Sequence, residues 1–299
     1  MALWLLVFIV VTGAGVRLTG SGLGCSDWPT CEDDRLVAPL QFHPMVEFVN
    51  RTITGLVSLA VVLAVLGSLR RVPRRRDLTW LSLGLVGGVL AQIVLGAVVV
   101  KLDLNPVAVQ GHFVVSMVLV ANAVVLHHRA AGPAGPRRSV AGSSLRRISI
   151  GVVAAAGIVI LTGTGVTGAG PHAGDTDANR LDLAIDTAAR VHSGAVFLLL
   201  CAVLGAVWLV RRDSAPVVQA AQTLLGVLVL QAAVGYTQYF TEIPPLLVAL
   251  HVLGATLLWI AVLRFALGLS VPLDGPRESG HADDGAGRDR AHPDLVTNR

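Results

Sequence analysis

Charge is scarce in this sequence. Asp, Glu, Lys and Arg make up 14% of its 299 residues, against about 25% in soluble globular domains. That shortage excludes an ordinary water-soluble domain. It also argues against nucleic acid as the partner behind the net charge of +4, because the basic residues cluster between apolar runs. Cysteine is scarce too. Three residues leave too few thiolates for a cysteine-rich metal site. The first apolar stretch, MALWLLVFIVV, lacks the basic residues and cleavage site of a signal peptide. It reads as a membrane helix, with a start upstream of Met1 as the alternative.

What the chain has is hydrophobic length. Its residues are 54% hydrophobic and are gathered in runs near the roughly 20 residues that span a bilayer. Eight spans are expected, at about 2–17, 46–69, 78–100, 107–128, 148–167, 187–210, 216–238 and 246–268. RRVPRRR, HHRAAGPAGPRRSVAGSSLRR and RRDS follow the even-numbered spans two, four and six. Positive loops stay in the cytoplasm, so both termini are read as cytoplasmic and the odd-numbered loops as external. Residues 269–299, polar and glycine-rich and carrying His281 and His292, read as a disordered cytoplasmic tail.

The chain also repeats itself. QIVLGAVVVKLDLNPVAVQGH and QAAVGYTQYFTEIPPLLVALH align Gln92, Gly96, Pro106 and His112 with Gln231, Gly235, Pro245 and His251 at one offset of 139. TGAGVRLTGSG is echoed by TGTGVTGAGPH, and Asn50 stands opposite His192 at an offset of 142. Four spans return the chain to its starting side, so the copies share one orientation and the repeat is parallel, not inverted. The expected fold is an all-α membrane protein of eight transmembrane helices in two parallel pseudo-repeated four-helix bundles. The bundles cover 1–128 and 148–268, with a cytoplasmic linker at 129–147.

Within that frame, Pro106 and Pro245 suit the first turns of spans four and eight. His112 and His251 follow six residues later, roughly 9 Å along the axis. Asn50 and His192 lie at similar depth in spans two and six. All four positions fall near the outer face but inside the apolar layer, where polar groups are costly without a role. The arrangement lets His192 face His251 and Asn50 face His112. Two imidazoles from two helices suit a haem iron held from both sides. The alternative is that each histidine hydrogen-bonds a neighbouring helix. Cys25 and Cys31, in the external CSDWPTC, are expected to form a disulfide, with two free thiols as the alternative. Cys201 reads as a packing residue, and His127 and His128 as interfacial.

RLTGSGLGCSDWPTC, VEFVNR, GPHAGD and the repeated histidines together resemble the haem A synthases, bacterial eight-helix membrane enzymes, over about residues 2–268. The resemblance implies oxidation of the C8 methyl of haem O to a formyl group, giving haem A for terminal oxidases. It implies a haem b cofactor whose iron is held by His192 and His251. The substrate haem then falls to the first half, at His112, Asn50 and Glu47. Glu47 shares a helix face with Asn50. It is read as a proton-handling catalytic group, or as a helix-start carboxylate paired with Arg51. Arg51, Arg17 and Arg190 are candidates for a haem propionate, and the family's cysteine pair maps onto Cys25 and Cys31. His43, His172 and Asp175 read as loop-ordering residues.

Implied partners are haem O, the upstream haem O synthase, terminal oxidase assembly factors, membrane lipid and a second copy of the chain. Two departures stand out. Many members carry histidine where this chain has Asn50, and GAGPHAGDTDANRLDL lacks the second external cysteine pair of some members. Two other classes compete. A quinol-linked dihaem electron-transfer protein would need a second ligand in the first half. A two-repeat transporter would place its site near the midplane.

Overall fold

A bilayer offers no water to unpaired backbone groups, so apolar runs of this length close their hydrogen bonds within helices. The computed structural model describes residues 1–25, 28, 30–31, 37–139 and 141–272. The expected tail from residue 273 onward, with His281 and His292, lies outside the described residues. So do Arg35 and part of CSDWPTC.

Among the described residues, eight helices follow in order: α1 (Ala2–Leu18), α2 (Phe42–Arg70), α3 (Arg76–Lys101), α4 (Pro106–Ala131), α5 (Ser143–Ala169), α6 (Ile185–Val210), α7 (Ala215–Phe240) and α8 (Pro245–Gly268). Seven are long and apolar enough to cross a membrane, and α1 is apolar but shorter, at 17 residues. Helix α2 begins at Phe42, four residues before the expected 46. Helix α5 begins at Ser143, five before the expected 148. These extra turns are too polar for a hydropathy window to include. Large apolar side chains such as Phe8, Leu63, Leu161, Phe197 and Leu230 face outward, as lipid-facing positions should.

Two large apolar cores form among the described residues, beside two small clusters in the external loops. One is built from α1–α4, with Leu6, Val61, Leu85 and Val120 at its centre and Ile260 of α8 joining it. The other is built from α5–α8, around Leu199, Val203, Leu224 and Val262. Helix α8 packs on α1, α4, α5 and α7, and the Trp259 indole N–H donates to Met117 O of α4 at 3.0 Å. At the external end, Gly22 N–H donates to Gly174 O at 2.9 Å, and Arg17 donates to His172 O and, at 2.7 Å, to Thr167 O.

The loops before α4 and α8 share one conformation. Asp103 and Leu104 have φ of 47° and 58°, and Glu242 and Ile243, displaced by 139, have 62° and 59°. Leu104 N–H donates to Val99 O, and Ile243 N–H to Gln238 O, each at 2.9 Å. Left-handed backbone is uncommon outside glycine, most of all for a β-branched residue. Both loops turn the chain so that a proline opens the next helix, where its missing N–H costs nothing.

At the opposite end, Arg75 and Arg71 donate to the last carbonyls of α4. The bonds run to Gly132 O at 2.8 Å, Arg129 O at 3.1 Å and Ala130 O at 3.3 Å. These are the groups a helix C-terminus leaves unpaired. The linker between α4 and α5 forms β1 (Arg137–Ser139), antiparallel to β2 (Ser270–Pro272). Arg137 also reaches His128 Nε2 at 3.0 Å.

Candidate haem sites

The loops and helix starts above bring the two histidines of the second half together. His192 and His251 lie near the beginnings of α6 and α8, with ring centroids 6.5 Å apart and planes inclined at 75°. Each ring has a polar neighbour on a different helix. Thr162 Oγ1 of α5 lies 3.1 Å from His192 Nδ1. The Thr162 hydroxyl proton has Ile158 O at 2.9 Å and Val159 O at 3.1 Å as acceptors, so its lone pair is left for an imidazole N–H. Gln231 Nε2 of α7 lies 3.0 Å from His251 Nδ1 and donates to His251 O at 2.9 Å. Thr162 thus accepts from His192 Nδ1–H, whereas the amide nitrogen of Gln231 faces His251 Nδ1 as a donor.

The first half is built alike but filled differently. Thr12 Oγ1 of α1 donates to Asn50 Oδ1 at 2.9 Å, with Ile9 O at 3.2 Å. Gln92 Nε2 donates to His112 O at 3.0 Å and to Ser116 Oγ. His112 Nδ1 and Gln92 Oε1 are buried without a partner among the described residues. Buried polar atoms are normally paired, so these two orphans mark a place where another group belongs.

Glu47 sits beneath the external loop. Its Oε2 accepts from Cys25 N–H at 2.8 Å, and its Oε1 pairs with Arg51 at 2.5 Å. Arg51 also donates to Thr30 O at 2.8 Å and stacks 4.7 Å over the Trp28 ring. Glu47 and Arg51 therefore fasten the CSDWPTC loop to α2. Cys25 and Cys31 are bonded, with S–S 2.08 Å. His43 Nδ1 meets Ser21 Oγ at 3.0 Å, and His172 Nε2 donates to Ile243 O at 2.8 Å. Asp175 accepts from Asp177 N–H at 3.0 Å. Each of these contacts orders a loop. Arg190 pairs with exposed Asp186 at 2.6 Å. Cys201, expected to pack, is exposed on α6.

The residues missed in the sequence are the partners, Thr12, Thr162, Gln92 and Gln231. Their signal was present in the TGAG/TGTG echo and the 139-residue offset. It had no target until the helix neighbours were known.

A helical multi-pass membrane protein with paired polar positions near one end of its helices is thereby defined, with two imidazoles juxtaposed in one half. Residues 1–175 match the COX15-CtaA family, described as cytochrome oxidase assembly protein, and the chain belongs to that family. The match ends before α6, narrower than the 2–268 expected from motifs. Among curated relatives, a Heme A synthase of Staphylococcus saprophyticus is 30% identical over 127 residues, 42% of each chain. One of Exiguobacterium sibiricum is 26% identical over 175 residues, 58% of each chain. A protoheme IX farnesyltransferase of Thermus thermophilus is 39% identical over 69 residues, 23% of this chain and 11% of the relative. The chain spans 38% and 42% of the length of the two Heme A synthases of Macrococcus caseolyticus and Staphylococcus saprophyticus that it matches.

Proposed function

We propose that this chain is a haem A synthase of the bacterial cell membrane, which oxidises the C8 methyl of haem O to a formyl group and supplies haem A for terminal oxidase assembly. The observation that carries this reading is the His192–His251 pair, with centroids 6.5 Å apart. Two metal–nitrogen bonds of about 2 Å, plus a ring radius of roughly 1 Å on each side, span about 6 Å. The pair therefore fits one iron held from both sides, and the donors suit a haem b.

The proposed architecture is two parallel four-helix repeats, 1–128 and 148–268, joined by a cytoplasmic linker at 129–147. The termini are cytoplasmic, the haem sites lie near the external face, and the Cys25–Cys31 disulfide forms on the oxidising side. The matching Asp103–Leu104 and Glu242–Ile243 turns support the repeat. The expected partners are haem O, a haem O synthase and oxidase assembly factors.

Conversion of R–CH3 to R–CHO is a four-electron oxidation, proposed as two successive hydroxylations followed by loss of water from the geminal diol. No side chain takes up those electrons, so a cofactor must. A haem b with two histidine ligands supplies one-electron transfer when bound. The chain's own residues divide the remaining work. His192 and His251 hold the cofactor, and His112, with its unpaired Nδ1, meets the substrate haem. Asn50, held by Thr12, is assigned to the same substrate site. Glu47 handles protons from beneath the loop, with Arg51 holding its charge or a propionate.

Co-expression with a haem O source tests this reading. Extracted haem should include a formyl haem, and membranes that yield haem O alone would refute the activity.

A further inference from the structure

The Thr–Gly and Gln–Gly pairs recur at all four polar positions. Thr12 and Gly13 stand on α1 as Thr162 and Gly163 stand on α5. Gln92 and Gly96 stand on α3 as Gln231 and Gly235 stand on α7. The bonds recur with them. Thr12 touches Asn50 as Thr162 touches His192. Gln92 donates to His112 O as Gln231 donates to His251 O. A glycine inside a helix costs about 1 kcal/mol relative to alanine, so its recurrence beside each position calls for a reason.

Space supplies the reason, and only in the second half is it tight. A Cβ at Gly163 would stand 3.1 Å from His192 Cε1, and one at Gly235 would stand 2.8 Å from His251 Cε1. A Cβ at Gly96 would stand 3.8 Å from His112 Cε1, and one at Gly13 would meet nothing within 4 Å. Each second-half imidazole thus rests by its Cε1 edge against a neighbouring helix at a glycine, with a polar side chain of that helix at its Nδ1. The two neighbours are different helices, α5 and α7, and the rings are inclined at 75°.

We propose that Thr162 and Gln231 are positioning residues for the iron ligands His192 and His251, and that Gly163 and Gly235 are the seats against which the Cε1 edges of the two imidazoles rest. This rests on the haem reading above. Outer contacts of this kind orient a ligating histidine and tune its basicity. Nearly perpendicular axial rings also give ferric low-spin iron a different g-anisotropy from parallel rings.

The test uses the full-length protein purified with its haem and reads haem per chain, ferric electron paramagnetic resonance, midpoint potential and carbon monoxide binding. Thr162→Val should keep a haem, shift the largest g value and raise the midpoint potential, because the ligand loses the acceptor that increases its basicity. Thr162→Ser should restore both values. Gly163→Ala keeps the hydroxyl but crowds the ring, so it should shift the g values and let carbon monoxide bind a fraction of the ferrous haem. Gln231→Leu should also shift the g values, because His251 loses the amide N–H donor that bonds its carbonyl and faces its Nδ1.

Wild-type g values and potential in both Thr162→Val and Gly163→Ala would overturn the proposal while leaving the haem reading intact. If Thr162→Val does not accumulate, Gly163→Ala and Thr162→Ser decide by the same readouts. A wild-type protein without low-spin haem would instead defeat the haem reading itself.

Discussion

The two halves of the molecule carry the same scaffold around different side chains. In the second, Thr162 and Gln231 stand at the Nδ1 atoms of two imidazoles, and a Cβ added at Gly163 or Gly235 would stand 3.1 or 2.8 Å from Cε1. In the first, Thr12 holds an amide, Gln92 donates to the His112 carbonyl and to Ser116 Oγ, and an added Cβ at either glycine would meet nothing closer than 3.8 Å. A site closed on both faces by fixed ligands suits a group that stays. One with a single imidazole and looser contacts at its glycines suits a group that must enter, react and leave. On the proposed reading, the duplicated frame separates cofactor from substrate by ligand number and packing rather than by fold.

The largest effect should come from removing the first half's only imidazole at these positions. His112→Ala should cut formyl haem production at least ~100-fold, since loss even of a ligand's outer partner costs about 10–100-fold. The cofactor spectrum should persist, and its disappearance would mean that the halves are not separate. Making the halves alike is the next test. Asn50→His should add a second low-spin signal when haem O is present and slow product release about tenfold, equivalent to roughly 1.4 kcal/mol of tighter binding. Unchanged turnover and spectrum would show that ligand number does not distinguish the sites.

Much of this contrast was legible in the sequence, because hydropathy and a fixed offset survive without any three-dimensional knowledge. Asn50, His112, His192 and His251 could be aligned, and Pro106 and Pro245 marked the starts of α4 and α8. What could not be read was contact between helices. Thr12 and Thr162 look like ordinary helix threonines until α1 is seen beside α2 and α5 beside α6. The turns at Leu104 and Ile243 were hidden for another reason. Neither residue type announces a left-handed backbone, and only the shared geometry of the two loops reveals it. Glu47 was legible as a polar residue in an apolar helix, but its bond to Cys25 N–H depends on how the external loop folds back.

Smaller effects should follow from the loop and the glycines. Cys25→Ser with Cys31→Ser should lower stability by about 2 kcal/mol, as expected for a short closed loop, and be seen as a lower melting temperature in detergent. Gly96→Ala should disturb its half less than Gly235→Ala disturbs the other, because its added Cβ meets His112 at 3.8 Å rather than His251 at 2.8 Å. Equal changes in haem content and spectrum would erase the proposed difference in tightness.

The division of labour between the halves is tested most directly by counting haem in protein purified without a source of haem O. One low-spin haem b per chain is expected, lost in both His192→Ala and His251→Ala and retained in His112→Ala and Asn50→Ala. A haem that survives both second-half substitutions, or departs with His112, would contradict it.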